Sequence, residues 1–410
     1  MLSANIIMPN TPYFLEKEEH HSAHNYQPLP VVLTKGQGVY VWDVDNKRYY
    51  DFLSAYSAVN QGHCHSEIIA AFIEQAQKLT LTSRAFHNDA FAEFAEFITK
   101  FFGYDKVLPM NTGVEAVETA IKLARRWGYE VKGVEKNKAK ILVCENNFHG
   151  RTLNVISFST DPDARRNFGP FMSGYEIITF NDLTALKTAL QDKNVVGFLV
   201  EPIQGEAGVI VPDEGYLAEV AKMCKEANVL LLADEIQTGL CRTGKMLACD
   251  HENVRPDILV LGKALSGGTM PVSAVLADDE IMMLIKPGEH GSTYGGNPLA
   301  SCVAMTALRV LETENMAANA TIQGNYFREH IKAADHPLVS VVRGKGLFNA
   351  IVIDHTDKDK AWDLCIQLME NGLLAKPTHG DKIRFAPPLN ITTTQMKECV
   401  DIINHSLRSL

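Results

Sequence analysis

The sequence predicts an α/β protein: a large domain with a mostly parallel central sheet covered by helices, plus a smaller α+β domain. Short continuous apolar runs at residues 195–200, 229–233 and 258–261 alternate with helical segments. This alternation is typical of parallel strands that are buried on both faces. The chain has 410 residues, which is more than one hydrophobic core usually serves. Both observations favour two domains of unequal size.

The first fifty residues predict a β-hairpin. Two strand-like runs, residues 38–43 and 47–51, flank a turn at Asp45 and Asn46, and such a hairpin fits a small flanking subdomain. We expect residues 1–55 to form an N-terminal segment that contributes to the small domain. Residues 56–300 would form the large domain, and residues 301–410 the C-terminal small domain.

The middle of the chain predicts the strand and helix alternation in more detail. Apolar residues recur at three- to four-residue spacing from Thr112 to Trp127, which indicates a helix with one buried face. A short apolar strand is expected at residues 141–144 and a helix at residues 217–227. After about residue 300, a long helical stretch leads to the last predicted strands, at residues 339–343, 347–353 and 383–385.

Composition and charge argue against several classes of function. The formal net charge is −10, so we expect no basic face for nucleic acid or for an anionic membrane. No run approaches the roughly 18 apolar residues that a membrane span needs. The first twenty residues contain no arginine and no long apolar stretch behind a basic start, so neither a secretory signal nor a mitochondrial transit peptide is expected. We therefore expect a cytoplasmic protein.

The eight cysteines do not form a disulfide or metal pattern. None lies in a C-x-x-C pair, and cysteines spread in this way through a long chain are expected to be reduced. His63, Cys64 and His65 are adjacent, but alternation along an extended backbone would separate the histidines from the cysteine. No second ligand pair follows, so we expect no metal site.

Lys263 is the first candidate for chemistry. It follows an apolar strand and precedes a glycine-rich loop at residues 264–268. Burial would lower the pKa of its amine enough to make it nucleophilic and able to form a Schiff base. From this residue alone, the alternative is a strand-end lysine that reaches water.

Asp234 is a second strand-end candidate, after the apolar run 229–233. A buried carboxylate needs a cationic partner or several hydrogen-bond donors, and a protonated pyridine nitrogen would be such a partner. A helix N-cap or a structural salt bridge would serve equally well. In parallel sheets, ligands bind beyond the carboxyl ends of the strands, where we expect both Asp234 and Lys263.

Thr112, Gly113 and Val114 open the predicted helix of residues 112–127. Free backbone N–H groups and the positive end of the helix dipole suit a phosphate at this place, although many helices begin in the same way without binding anything. The chain has neither a G-x-x-x-x-G-K-[ST] loop nor a G-x-G-x-x-G sequence after a strand, which disfavours nucleotide binding.

A phosphate cradle, an acid for a pyridine nitrogen and a lysine thus follow one another along one α/β scaffold. Four motifs in matching order resemble those of class III aminotransferases, which use pyridoxal 5′-phosphate (PLP) on the transferase fold called fold type I. The resemblance extends from about residue 20 to the C-terminus. The motifs are residues 147–152 (NFHGRT), 201–206 (EPIQGE), 234–239 (DEIQTG) and 293–298 (TYGGNP).

This resemblance implies a role for individual residues. Lys263 would hold PLP as a Schiff base and carry the proton, and Asp234 would pair with the pyridine N–H. The other implied cofactor residues are Phe148 on the ring, Gln237 near the phenolic oxygen, Thr112, Gly113 and Val114 at the phosphate, and Ser292 and Thr293 from the partner subunit. The implied substrate residues are Tyr26, Tyr56, Arg151, Glu206 and Arg384. Structural roles are expected for Cys144, His149 and Glu201.

Within the family, residues 24–30, 54–63 and 81–86 most resemble members that move the δ-amino group of L-ornithine to 2-oxoglutarate. N-acetylornithine, 4-aminobutyrate or another diamine remains an alternative donor. A PLP-binding regulatory or scaffold protein without turnover is disfavoured by the intact Lys263, Asp234 and Arg151. Two candidate carboxylate-binding arginines disfavour racemase or decarboxylase chemistry. The expected partners are small-molecule substrates and a second copy of the chain, because the family forms homodimers, or multiples of them, with active sites at the interface.

Overall fold

The computed structural model describes residues 10–354 and 359–410. Within these ranges the strands are β1 Leu33–Gln37, β2 Tyr40–Asp43, β3 Arg48–Asp51, β4 Lys106–Met110, β5 Lys140–Cys144, β6 Tyr175–Ile178, β7 Val195–Val200, β8 Leu230–Asp234, β9 Ile258–Leu261, β10 Ser273–Ala277, β11 Val339–Lys345, β12 Phe348–Ile353, β13 Leu373–Leu374, β14 Lys376–Thr378 and β15 Lys382–Phe385.

The right-handed α-helices of the same ranges are α1 Thr11–His21, α2 Ser66–Ala76, α3 Asp89–Phe102, α4 Gly113–Glu130, α5 Pro162–Arg165, α6 Leu183–Ala189, α7 Tyr216–Glu226, α8 Asp279–Met282, α9 Pro298–Thr313, α10 Met316–Ala333, α11 Lys360–Glu370 and α12 Thr393–Arg408. Short 3₁₀ turns lie at Val155–Phe158, Ala248–Glu252 and Lys263–Ser266. A further turn, Ser54–Ser57, has a left-handed backbone.

The central sheet has seven strands in the order β4-β10-β9-β8-β7-β5-β6. Strand β10 pairs antiparallel with both of its neighbours. The other four pairings in this sheet are parallel. The prediction of an α/β fold with a mostly parallel sheet is confirmed.

Helices bury both faces of this sheet, as the continuous apolar strands predict. In β8, Leu230 and Leu232 pack in one core cluster with Ile121 of α4. Leu231 of the same strand packs in a second cluster on the other face, with Val220 of α7. The sheet is therefore packed on both faces, and β8 ends with Asp234 at its carboxyl end.

Two four-stranded sheets lie outside the central sheet, with the orders β1-β2-β3-β13 and β11-β12-β15-β14. Strand β13 pairs parallel with β3, so part of the N-terminal segment joins elements from the C-terminal part of the chain. This pairing supports our proposal that residues 1–55 contribute to the small domain. The boundaries at residues 56 and 301 stay predictions. In the ranges that the structure describes, no helix combines the length and apolarity that a membrane crossing requires.

Candidate active site

The carboxyl ends of two neighbouring strands converge on one cavity. Asp234 is the last residue of β8, and Lys263 follows β9 after one glycine. The cavity has a volume of about 240 Å³. Its lining consists of Gly113, Val114, Phe148, His149, Gly150, Glu201, Asp234, Ile236, Gln237, Thr238 and Lys263. The structure thus brings together the two predicted catalytic residues and four of the predicted cofactor residues.

Lys263 is held in an unfavourable backbone conformation and in a low-dielectric place. Its φ is +43°, a left-handed value that costs a residue with a Cβ and occurs most often where function requires it. Burial lowers the pKa of the Lys263 amine, although the negative charges of Glu206 and Asp234 oppose this shift. A lowered pKa favours the neutral amine, which is the nucleophilic form.

The Asp234 carboxylate is buried and hydrogen-bonded. His149 Nδ1 donates to Asp234 Oδ2 at 2.7 Å, and the backbone N–H of Ile236 donates to Oδ1 at 3.1 Å. Burial of His149 favours its neutral ring, but the hydrogen bond to Asp234 and the charge of that carboxylate raise the pKa of His149 above its ordinary value. The two hydrogen bonds therefore hold the Asp234 carboxylate in place at the wall of the cavity.

The N-terminus of α4 provides the third side of the cavity. Glu115 donates its backbone N–H to the Thr112 hydroxyl at 3.4 Å, and the Glu115 carboxylate accepts from the Thr112 N–H at 2.7 Å. Thr112 therefore caps the helix. The N–H groups of Gly113 and Val114 lie in the first turn, where a helix offers no internal acceptor. They are available to an anion, whereas a phosphate contact by Thr112 stays a prediction.

These residues fit PLP, the cofactor that the sequence resemblance implies. The cavity presents an amine for an aldehyde, a buried carboxylate for a pyridine N–H, and a helix N-terminus for a phosphate. Gly205 packs closely against this wall, because a Cβ built on it would lie 2.0 Å from Gln237 Oε1 and 2.9 Å from Phe348 Cζ. Lys263, Asp234, Gly113 and Val114 are thus the residues that would hold the cofactor.

A second cavity of about 390 Å³ adjoins the first and shares Phe148 with it. Arg151 and Glu206 line this second cavity, and the Arg151 guanidinium carbon lies 5.5 Å from the Phe148 ring centroid. Two candidate substrate residues therefore lie next to the cofactor cavity.

Arg384 is buried and paired with Glu206. Arg384 Nη1 donates to Glu206 Oε1 at 2.6 Å, and the Arg384 guanidinium carbon is 5.2 Å from the ring centroid of Tyr56. Burial alone would raise the pKa of Glu206, but the charge and hydrogen bond of Arg384 lower it. Glu206 therefore neutralises Arg384 in this state.

Six predicted site residues line neither cavity: Thr112, Tyr56 and Arg384, whose contacts are given above, and Tyr26, Ser292 and Thr293. Tyr26 is 67% exposed, with Lys376 Nζ at 5.9 Å from its ring centroid. The Ser292 hydroxyl accepts from Asn111 Nδ2 at 2.8 Å, and Thr293 is exposed. Their assigned roles stay predictions that depend on a second subunit or on a bound substrate.

Structural roles were expected for His149 and Glu201, but both residues are in direct contact with the site. His149 holds Asp234, and Glu201 lines the cofactor cavity. Glu201 accepts from the backbone N–H groups of Phe148 at 2.9 Å and Gly205 at 3.2 Å, and burial raises its pKa to about 7. The available signal was the buried acid itself: Asp234 needs a donor, and His149 follows a strand of the same sheet.

His63 and His65, which flank Cys64, have different partners. His63 contacts Asp51, and His65 contacts Glu314, each at 2.8 Å. Within residues 10–354 and 359–410, no group of three or more His, Cys, Asp or Glu side chains is placed to hold a metal ion.

Comparison with known proteins gives a consistent family. The family model described as aminotransferase class-III matches residues 21–407. The mitochondrial ornithine aminotransferase of Rattus norvegicus is 61% identical over 401 residues, which cover 98% of this chain and 91% of that protein.

Two solved structures extend the comparison to the fold. An ornithine aminotransferase from Toxoplasma gondii, described with partial occupancy of PLP at its active site, is 48% identical with a TM-score of 0.95, over 97% of this chain and 94% of that chain. An acetylornithine aminotransferase from Elizabethkingia anophelis is 56% identical with a TM-score of 0.91, over 98% of this chain and 100% of that chain.

Proposed function

The chain belongs to the class III aminotransferase family, and from this premise we propose that it is a PLP-dependent ornithine δ-aminotransferase. It moves the δ-amino group of L-ornithine to 2-oxoglutarate and forms glutamate-5-semialdehyde and glutamate in two successive half-reactions. One observation in particular supports the proposal: Arg384 is neutralised by Glu206, while Arg151 lines the adjacent cavity. Such a site can accept both a diamine and a dicarboxylate.

When bound, PLP supplies an electron sink that makes the hydrogen on the amine-bearing carbon of the substrate acidic. Lys263 Nζ takes that proton and later returns it, as a general base and then a general acid. The Asp234 carboxylate keeps the pyridine nitrogen protonated by stabilising its charge. His149 holds Asp234 in place, and Glu201 fixes the backbone of Phe148, the residue that would pack on the cofactor ring.

The two substrates make opposite demands on Arg384. Ornithine presents its δ-amine, which has no carboxylate on the same carbon, whereas glutamate presents an α-amine that has one. We propose that Glu206 pairs with Arg384 while ornithine binds, and that Arg151, helped by Tyr26, binds the distant α-carboxylate and α-amine of ornithine. When glutamate or 2-oxoglutarate enters, Glu206 moves away. Arg384 then binds the α-carboxylate and Arg151 the γ-carboxylate.

Glu206→Ala separates this switch from a fixed structural ion pair. Because Arg384 is then always available, the glutamate half-reaction should hold steady or become faster, while the ornithine half-reaction slows. Loss of the charge contact should lower kcat/KM of the ornithine half-reaction by a factor of about 10 to 100. Stopped-flow measurement of both half-reactions tests this, with Asp381→Ala as the control because Asp381 forms an ion pair with Lys382 instead. Equal slowing of both half-reactions by Glu206→Ala would show that the pair is scaffolding.

The assembly is proposed to be a homodimer, or a multiple of one, with Ser292 and Thr293 contacting the cofactor phosphate of the partner subunit. The exposure of Thr293 supports this role, because an exposed hydroxyl is available to a second subunit. Thr293→Ala should weaken PLP binding measurably, since a hydrogen bond to a charged group contributes about 1.5–3 kcal/mol. Equilibrium dialysis of PLP, together with sedimentation on dilution, tests both parts. A monomer that retains PLP and full activity would contradict the shared site.

We propose a cytoplasmic location, which cell fractionation with activity assays can test. The described cysteines are all free thiols, which is consistent with a reducing compartment. Enrichment of the activity in the mitochondrial or extracellular fraction would contradict this part of the proposal.

N-acetylornithine is the second candidate donor, because a 56% identical structure is that of an acetylornithine aminotransferase. A donor panel with the purified holoenzyme and 2-oxoglutarate tests the proposal, with glutamate as the measured product. We expect ornithine to have the highest kcat/KM. A higher kcat/KM with N-acetylornithine or 4-aminobutyrate would assign the chain to another donor within the same family.

A further inference from the structure

Four consecutive residues beside the substrate site have a left-handed backbone. The φ values of Ser54, Ala55, Tyr56 and Ser57 are +48°, +46°, +60° and +71°. None of them is glycine, and a left-handed conformation brings the Cβ of each too close to the following carbonyl oxygen. Such strain persists only where the surrounding structure imposes it, and it is most frequent at functional sites.

The left-handed turn determines where Tyr56 stands. The Tyr56 carbonyl accepts from Gln237 Nε2 at 3.3 Å, and the Tyr56 ring lies 5.2 Å from the guanidinium carbon of Arg384. The turn therefore joins the loop after Asp234 to the arginine that we propose for the α-carboxylate. If the turn relaxed, Tyr56 would leave both partners.

Side chains hold the turn at both ends. On its N-terminal side, Asp51 Oδ1 accepts from the N–H groups of Leu53 at 2.9 Å and Ser54 at 2.8 Å. On its C-terminal side, Asn60 Oδ1 accepts from Arg242 Nε at 3.2 Å and Nη2 at 2.5 Å. The Asp51 carboxylate and the Arg242 guanidinium thus hold the turn in its strained conformation from its two ends.

Arg242 is 0% exposed, which is unusual for a cation. Its Nη1 donates to the carbonyls of Leu347 at 2.9 Å and Pro387 at 2.6 Å. In the part of the chain that the structure describes, no carboxylate forms a hydrogen bond with the guanidinium. Burial lowers the pKa of Arg242 to about 9, and the charge of Asp51 opposes that shift. A buried cation with neutral acceptors is costly, so its retention here requires a reason.

The neighbours of Arg242 in sequence and space supply that reason. Leu347 immediately precedes β12, and Pro387 lies just beyond β15, the strand of Arg384. Arg242 itself lies in the loop that follows Asp234 and includes Gln237. One guanidinium therefore links the three segments that contribute Gln237, Tyr56 and Arg384.

We propose that Arg242 is a positioning residue. Through Asn60 it holds the strained turn Ser54–Ser57, and through Leu347 and Pro387 it fixes that turn against the strand of Arg384. Tyr56 and Arg384 thereby keep their relative positions at the substrate site. The inference rests on the proposed function for the identity of the substrate, but the mechanical link itself can be measured without any substrate.

Two substitutions test opposite sides of this link. Arg242→Lys keeps a positive charge but loses the planar set of five donors, so it should release the turn. Ala55→Gly removes one of the crowded Cβ atoms, and glycine adopts positive φ without that cost. Ala55 is exposed, so removing its methyl group loses no core packing. Ala55→Gly should therefore stabilise the turn and partly rescue Arg242→Lys.

Hydrogen exchange of the holoenzyme reports on the turn directly. The N–H groups of Ala58 and Val59 donate to the Ser54 carbonyl at 2.8 and 3.1 Å, so their exchange follows its opening. We expect Arg242→Lys to speed exchange at these amides by about tenfold, which corresponds to about 1.4 kcal/mol. Ala55→Gly alone should slow it, and the double variant should lie between Arg242→Lys and the wild type.

Arg328→Lys is the matched control. Arg328 Nη1 donates to the Gly346 carbonyl at 2.8 Å and to Asn349 Oδ1 at 2.6 Å, which places it near β12 but not on Asn60. Its replacement should leave the exchange of Ala58 and Val59 unchanged. In kinetics, Arg242→Lys should raise KM for 2-oxoglutarate, whose α-carboxylate Arg384 is proposed to bind, by about tenfold with kcat changed less than about threefold. Ala55→Gly in the same chain should recover part of that KM.

The outcomes separate the link from the proposed function. Unchanged exchange in a folded Arg242→Lys protein, an equal effect of Arg328→Lys, or no rescue by Ala55→Gly would overturn the inference. If Arg242→Lys does not fold, Asn60→Ala decides, because it removes the acceptor through which Arg242 holds the turn. Faster exchange at Ala58 and Val59 supports the link, and unchanged exchange overturns it. If the exchange pattern is as expected but the protein does not turn over ornithine, the proposed function is refuted. The positioning role of Arg242 would still be supported.

Discussion

Replacing Lys263 with alanine is expected to abolish nearly all turnover while leaving PLP able to bind. The substitution removes both the covalent attachment and the group that moves the proton, so we expect kcat to fall by about 10⁴-fold, the upper end of general acid–base effects. The phosphate cradle at Gly113 and Val114 and the carboxylate of Asp234 remain. Equilibrium dialysis should therefore still detect bound PLP, and a kinetic assay should detect almost no product.

Borohydride reduction followed by peptide mass mapping completes this test. In the wild-type protein the reduced cofactor should be attached to Lys263 and to no other lysine. Lys245→Ala is the matched control, because Lys245 is exposed and lines neither site cavity. A cofactor adduct on another lysine, or substantial turnover in Lys263→Ala, would end the assignment.

Asp234→Ala should slow proton transfer by at least about a hundredfold, by analogy with the size of general acid–base effects. Without the carboxylate, the pyridine nitrogen loses the charge that keeps it protonated, and His149 loses its partner at 2.7 Å. Single-turnover measurements with deuterated and protiated substrate isolate the proton-transfer step.

Asp257→Ala provides the control for general damage to the fold. Asp257 Oδ2 accepts from the Leu231 N–H at 2.7 Å, so it supports the same strand as Asp234 without lining the cofactor cavity. We expect Asp257→Ala to lower the free energy of unfolding and to leave the proton-transfer rate nearly unchanged. A near-wild-type rate in Asp234→Ala would show that another group protonates the pyridine nitrogen.

The apolar parallel strands at the centre of the sheet were predictable, whereas the two edge strands and the buried antiparallel strand β10 were not predicted. Strands β7 and β9 have the bounds that the sequence predicts. Strand β4 was not predicted: it contains Pro109 and lies at the edge of the sheet, where a proline is tolerated. Strand β6 forms the opposite edge and includes the polar Glu176. Continuous hydrophobicity is a signal of central parallel strands, and edge strands lack it.

The candidate site was predictable to the extent that its chemistry lies at strand ends. Lys263 and Asp234 are charged residues at the ends of buried apolar strands, where a charge needs a partner. The structure brings both to one cavity. The need of a buried Asp234 for a hydrogen-bond donor was visible in the sequence, but its pairing with His149, 85 positions away, depends on the tertiary structure.

The left-handed turn and its arginine had no sequence signal. Positive φ is usually inferred from glycine or asparagine, and residues 54–57 contain neither. Arg242 and Asn60 lie 182 positions apart, so their hydrogen bonds depend on the assembled tertiary structure. Long-range polar contacts of this kind follow from packing and not from periodicity.

The central claim, that L-ornithine is the amino donor, is tested most directly by a single half-reaction without keto acid. The holoenzyme is mixed with L-ornithine or with N-acetylornithine, and the cofactor absorbance is followed in a stopped-flow instrument. We predict rapid loss of the resting absorbance with L-ornithine, release of one glutamate-5-semialdehyde per active site, and little change with N-acetylornithine on the same timescale. Faster conversion by N-acetylornithine, or no response to L-ornithine, would contradict the account.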